Sequence, residues 1–410
     1  VVEAVRVAGR YGLDTEFHRE HTYWPELALV QLAWDGGLAL VDPLGCSLEP
    51  LGELFCSDAE AVLHAAEQDL LALGHVVGAA PRRLVDTQIL SAFLGWSQPG
   101  LGVLTQHYLG QPLAKAERLT DWMQRPLTPA QVAYAADDVR FLLPLVDRLE
   151  AEVGRRGRTA WAHEECERLR TRSAAGDVRE LWWRVRDARR LRGRARGIAQ
   201  EVVIWREKTA ARLNRPVRRV LSDQAVITLA ERAPADVAAL RRLGLADARA
   251  LAPADEVSLV AAVARGRMLR AEELCLPPGE PSDPVVRRQV AFDLLWLQAR
   301  ADELGLDPSL LGTRHDVVEL VTGAASRLGE GWRADAIGGG LRAAGCGASA
   351  VALDGRGLLR TVDVDPPAVS AGAPDPLADR DARAVRPELP ATGESAPAPG
   401  TASIRSLPEG

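Results

Sequence analysis

Three extended segments crowded into the first 44 residues constrain this chain most. Residues 13–17, 27–34 and 38–42 are apolar or alternating, and Asp35-Gly36-Gly37 separates the last two with a hairpin-turn signal. A chain that opens this way starts an antiparallel sheet. The apolar run Ala61-Val62-Leu63-His64-Ala65-Ala66 follows, then helical spacing through Leu70, Leu71 and Leu73. Further helical segments are expected over residues 85–109, broken at Gln98-Pro99-Gly100. Strands first and helices after predict an α/β fold in which helices cover a mixed sheet.

The first of those strands carries Leu13-Asp14-Thr15-Glu16-Phe17. Alternate side chains of a strand point the same way, so Asp14 and Glu16 share one face while Leu13, Thr15 and Phe17 share the other. Two neighbouring carboxylates repel. A fold accommodates them when both stay solvated, when one keeps its proton, or when a divalent cation lies between them. Asp69 falls in the first turn of the expected helix after residue 66, where a carboxylate also suits the helix dipole.

Thr128-Pro129-Ala130-Gln131 marks a helix start, with Thr as the N-cap, Pro at the first helical position and Gln completing a capping box. The helix is expected to continue towards Glu150 with a kink at Pro144, which has no N–H to donate. Tyr134 and Asp138, four apart, share a helix face. Asp137, three residues from Tyr134, competes for that face. Asp86 reads as a helix cap, His64 as a core histidine, and His18 and His21 as loop residues.

Residues 161–265 read as helix, with breaks at Asn214-Arg215-Pro216 and near Ala233-Pro234. Pro277-Pro278-Gly279 and Pro281 mark a linker, and helices are expected again over 285–304 and 314–328. Nine of the 26 prolines lie in the last fifty residues, which predicts a disordered tail. The net charge of -6 conceals an asymmetry, because residues 151–220 hold 20 Lys+Arg against 9 Asp+Glu. A basic block on an acidic protein suits a polyanionic partner. Within it Arg184, Arg186, Arg189, Arg190, Arg192, Arg194 and Arg196 cluster near Trp182 and Trp183. Cation and aromatic together suit single-stranded nucleic acid, and a solvated surface over packed tryptophans is the competing reading. The five cysteines are scattered and form no Cys-x-x-Cys pair, which argues against disulfides or zinc and for a reducing cytoplasm. No apolar run reaches the length of a membrane span. The chain opens on Val1, so its natural start is expected further upstream.

In order and spacing, the DTEF, HAAEQDL and YAADD segments resemble the three motifs of the tyrosine subtype of DEDD 3′-5′ exonucleases. The longer match, over residues 12–150, is to the ribonuclease D family. GRARGIAQEVVIWREKTAARLNRPVRRVLSD resembles the start of an HRDC domain, and residues 314–341 more faintly resemble the family's C-terminal end. The resemblance implies an RNase H-like exonuclease domain followed by all-α HRDC-type domains. It sets an exonuclease domain over 1–155 with a truncated start, a basic helical connector over 156–190 and an HRDC domain over 191–272. A second, weaker HRDC-like domain over 283–345 follows, and composition alone gives a disordered Pro/Ala/Gly-rich tail over 350–410, which matches no part of the family.

Residue by residue, the resemblance implies Asp14, Glu16, Asp69 and Asp138 as metal ligands, with Tyr134 beside them as the fifth catalytic residue. The family's Tyr-x-x-x-Asp spacing selects Asp138 over Asp137. Oxygen ligands of this kind suit Mg²⁺ or Mn²⁺. Two divalent ions about 3.5–4 Å apart can hold the attacking and leaving oxygens of a displacement at phosphorus. In this reading Asp14 bridges both ions, Glu16 and Asp138 complete one site, Asp69 supports the other, and Tyr134 orients the attacking water. The expected activity is a cytoplasmic, monomeric 3′-5′ exoribonuclease that acts on RNA with a free 3′ end, such as tRNA precursors, and releases nucleoside 5′-monophosphates. The alternatives are a DNA exonuclease and an RNA-binding protein with an inactive nuclease domain.

Overall fold

The structure, a computed structural model, describes residues 1–113, 120–172, 177–270, 272–276 and 283–364. A short helix α1 (Val2–Ala8) leads into β1 (Arg10–His18), β2 (Glu26–Trp34) and β3 (Gly37–Val41), which form the expected antiparallel start. Next come α2 (Glu49–Cys56), β4 (Glu60–Leu63), α3 (Glu67–Val77), β5 (Arg83–Asp86), α4 (Thr87–Ala92) and α5 (Leu101–Leu109). The helices α6 (Pro129–Arg140), α7 (Leu142–Arg155) and α8 (Thr159–Thr171) follow. The sheet order is β3-β2-β1-β4-β5, with β4 parallel to β1 and β5 parallel to β4, so the sheet is mixed.

Strand alternation sorts the two faces. Leu13, Val30 and Leu32 face a core with Leu51, Leu54, Phe55 and Leu73 of α2 and α3. On the other face, Ala33 and Val62 meet Val139, Leu142, Leu145 and Val146 of α6 and α7. Gly12 lets α6 settle on this second face, because a Cβ there would come within 3.0 Å of the Val139 carbonyl and 3.2 Å of Leu142. Asp14 and Glu16 lie on the same face as Gly12. α6 is therefore seated directly over the acids of β1.

Two local expectations change. β5 replaces helix at its first residues, because Leu84 and Val85 are short enough to be read either way and pair in register with Ala61 and Val62. The helix from Thr128 does not run on through Pro144 with a kink. It ends at Arg140 and restarts at Leu142, which leaves Pro144 in the first turn of α7, where a missing N–H costs little. The capping box of Thr128 and Gln131 is formed, and Asp86 caps α4 through Gln88 and Ile89.

The basic connector is α8 followed by two 3₁₀ turns, Val178–Arg184 and Ala188–Arg190. Then α9 (Arg194–Leu213), α10 (Val217–Val220), α11 (Asp223–Arg232), α12 (Val237–Arg242), α13 (Ala246–Arg249) and α14 (Pro253–Met268) enclose a core of their own. Trp182 and Trp183 are buried in that core, and Trp182 Nε1 donates to the Cys275 carbonyl at 2.7 Å. They anchor the connector to the helical domain and present no ring for a base to stack on.

The segment over 283–345 closes no core of its own. α15 (Pro284–Leu304), α16 (Pro308–Leu311) and α17 (Arg314–Thr322) share one hydrophobic cluster with Phe93, Leu104, Leu142 and Leu149 of the sheet-covering helices. Trp332 stacks on Trp161 of α8, and Arg333 pairs with Glu165 at 2.5 Å while almost fully buried. The tail expected from residue 350 begins instead with a hairpin, β6 (Ser349–Leu353) and β7 (Leu359–Asp363). Its alternating Ala350-Val351-Ala352-Leu353 and the Asp354-Gly355 turn supply the pattern, and Glu303 of α15 accepts from the Thr361 backbone. The rest of that tail and the Pro277–Pro281 linker lie outside the described residues.

Candidate active site

β1 pairs with β4 only over Arg10–Gly12, so beyond Gly12 its edge is open on that side. The open edge admits the start of α3. Asp86 fixes that start: its carboxylate accepts from the backbone N–H groups of Ala65 (3.1 Å) and Ala66 (2.8 Å) while it caps α4. Ala65 takes a left-handed backbone conformation, φ 57°, within this turn. The turn delivers Asp69, buried, to Thr15, whose Oγ1 donates to Asp69 Oδ1 at 2.5 Å.

From the other face, α6 delivers Tyr134 and Asp138. One ligand atom from each of Asp14, Glu16 and Asp138 falls within 4.8 Å of the others, close enough for a single cation to touch all three. Asp69 is not in that triplet, but it lies near enough to Asp14 to act on its charge. Asp137 points away and pairs with Arg140 at 3.1 Å. Helix geometry thus separates two adjacent aspartates, one into the cleft and one onto the surface.

The electrostatics are those of an anion-crowded cleft. Burial, then the charges of Asp69, Asp138 and Glu16, hold the Asp14 carboxyl well above the usual carboxylate range. Burial also lifts Asp69 to about 6, against the Thr15 hydrogen bond, and Asp138 to about 7, against its hydrogen bond from Tyr134. Burial and the nearby Asp138, Glu16 and Asp14 push the Tyr134 phenol up from its ordinary value. Each of these shifts says that added negative charge is unwelcome here and that added positive charge would be welcome. The donor set, all carboxylate oxygen and with no sulfur or imidazole, fits a hard divalent ion.

Thr15 and Asp86 escaped the sequence reading as supports of the site. The signal for Asp86 was present in its cap pattern, but its second role depends on a turn 20 residues away. His64 behaves as a core histidine, with Nδ1 on Thr87 Oγ1 at 2.9 Å and burial lowering its pKa. His21 sits in the loop after β1, near Arg219. In the same loop Trp24 stacks on His75 and hydrogen-bonds Ala211 and Asn214 at the end of α9, joining the helical domain to the sheet domain. The arginines from Arg184 to Arg196 are not at the acids. Arg184, Arg186, Arg189, Arg190, Arg192 and Arg194 are exposed and Arg196 is half-buried. Arg192 and Arg196 spend donors on nearby backbone carbonyls.

Two stretches of the chain match known families. Residues 1–154 match a family described as 3′-5′ exonuclease, and residues 195–251 match the HRDC domain. The chain is 37% identical to a ribonuclease D of Jannaschia sp. over 339 residues, covering 80% of this chain and 87% of that one. It is 40% identical to a ribonuclease D of Xanthomonas oryzae pv. oryzae over 245 residues, covering 58% and 67%. Its fold is similar to the crystal structure of Escherichia coli RNase D, described as an exoribonuclease involved in structured RNA processing. That similarity has a TM-score of 0.72 and 30% identity, and covers 84% of this chain and 94% of that one.

Proposed function

The chain belongs to the ribonuclease D family and is a 3′-5′ exoribonuclease, and from that premise we propose how its own residues perform the reaction. The observation that carries the proposal is the convergence of Asp14, Glu16 and Asp138, from two separate elements, on one point. Asp14 belongs to that triplet and also feels the charge of Asp69, so it would serve two ion positions, with Glu16 and Asp138 completing one and Asp69 supporting the other. Two Mg²⁺ or Mn²⁺ ions, when bound there, supply positive charge to the attacking and leaving oxygens at phosphorus. Tyr134, held by its hydrogen bond to Asp138, orients the attacking water. A phenol pushed above its ordinary pKa is a poor base, and positioning is the role left to it. Glu16, partly buried, is the ligand we assign to meet the 3′-terminal sugar.

Tyr134→Phe is therefore expected to lower kcat by roughly 10²-fold even at saturating Mn²⁺, as read by single-turnover kinetics.

The substrate is RNA with a free 3′ end, and we assign structured RNA such as tRNA precursors, the chain acting as a cytoplasmic monomer. No helix among the described residues is long and apolar enough to cross a membrane. The test is product analysis. With 3′- and 5′-labelled RNA, the 3′ label should leave first as a nucleoside 5′-monophosphate while the 5′ label shortens stepwise. A matched DNA strand degraded faster than RNA would favour a DNA exonuclease, and stable RNA in the presence of Mn²⁺ would favour a binding protein.

The exposed arginines of the connector, from Arg184 through Arg196, are proposed to guide the RNA strand by its phosphates alone, since Trp182 and Trp183 are buried. Arg186 and Arg190 are 88% and 86% exposed, and each pairs at the surface with Asp187, at 3.8 and 3.2 Å. Changing both to Gln should weaken RNA binding and reduce the slope of log K against log salt by about 1–2. An unchanged slope in a salt titration would remove them from the RNA path.

A further inference from the structure

Gln31 lies at the centre of β2 with no exposed surface, and neither its Oε1 nor its Nε2 has a hydrogen-bond partner. Leaving such groups unpaired is destabilising, a cost that Leu or Met at the same place avoids. Residues flanking it along β2, Val30 and Leu32, are aliphatic and fully buried. An amide in that setting calls for an explanation beyond packing.

Its register supplies one. Gln31 stands directly opposite Asp14 in the antiparallel pair of β1 and β2. Side chains directly opposite point to the same face, with Cβ atoms about 4.5–5.5 Å apart. That face is the one α6 covers to bring Asp138 to Asp14 and Glu16. On the far side of β1, Thr15 already holds Asp69 through a hydroxyl.

We propose that Gln31 is a positioning residue for the ion site, its Nε2 donating to the Asp14 carboxylate when ions are bound. The inference rests on the reading of Asp14 as an ion ligand. The amide fixes which carboxylate oxygens face the cleft and adds donor character behind an acid surrounded by other acids. Hydrogen bonds of this outer kind typically govern 10–100-fold in metal affinity.

The experiment is a Mn²⁺ titration of the ion-free, full-length protein by electron paramagnetic resonance, which reads free Mn²⁺ directly, paired with thermal melting of the same samples. Gln31→Leu and Gln31→Met remove the amide at similar volume, and Asp14→Asn is the reference. Both Gln31 variants should bind Mn²⁺ 10–100-fold more weakly while their ion-free fold melts at or above the parent temperature. Affinity within twofold of the parent, or affinity lost only together with the ion-free fold, overturns the inference. If Asp14→Asn itself leaves Mn²⁺ affinity unchanged, the ion-site reading fails, and that failure is visible separately from the behaviour of Gln31.

Discussion

Asp14→Asn abolishes RNA hydrolysis, with a fall in kcat on the order of 10³-fold or more, and raises the melting temperature of the ion-free protein. The two effects share one cause. Asp14 feels Asp69, Asp138 and Glu16 together. With ions bound, those charges are an asset, and removing the shared ligand forfeits several kcal/mol of charge stabilisation at phosphorus. Without ions they repel, so a neutral isostere relieves the fold. Asp138→Ala should lose activity to a similar degree, because it removes a ligand of the triplet and frees Tyr134 from its hydrogen bond. Single-turnover assays on 3′-labelled RNA and melting curves in EDTA measure both arms. A variant inactive only because it is unfolded would show a lowered melting temperature instead.

The second large effect is a stability that falls as pH rises, confined to the ion-free protein. Asp69 and Asp138 have folded-state pKa values raised to about 6 and about 7, above the ordinary value of about 4 in an unfolded chain. The folded protein therefore holds protons that the unfolded chain releases between pH 4 and 7. That contribution is fully present below about pH 4 and is lost as pH rises through 6 and 7. A loss on the order of a few kcal/mol is expected between pH 5 and 8 in EDTA. Mn²⁺ should reverse it, since ions favour the deprotonated carboxylates and bind more tightly as protons leave. Denaturant melts at pH 5, 6, 7 and 8, with EDTA or with Mn²⁺, should diverge towards high pH. Asp138→Asn should flatten the EDTA series.

Much of the site was legible because its parts are local signals in a fixed order. The strand alternation around Asp14, the capping box at Thr128 and the four-residue step from Tyr134 to Asp138 are each short-range, and the structure shows all three. What stayed hidden depends on residues far apart in the chain. Asp86 supports the turn before Asp69 only because β4 and β5 lie side by side. Gln31 acquires meaning only from its register with Asp14. The tryptophans beside the arginines looked available for bases because sequence proximity says nothing of burial, and the helical core claimed them. The segment over 283–345 read as a separate helical domain because helices announce themselves locally, whereas the core they join is assembled from α4, α5, α7 and α8.

Anomalous diffraction from crystals soaked in Mn²⁺ tests the central claim most directly. The account predicts one ion touching carboxylate oxygens of Asp14, Glu16 and Asp138 at about 2.0–2.3 Å, and a second ion on the Asp69 side of Asp14. Anomalous density elsewhere, or none at these four acids at saturating Mn²⁺ above pH 7, would contradict it.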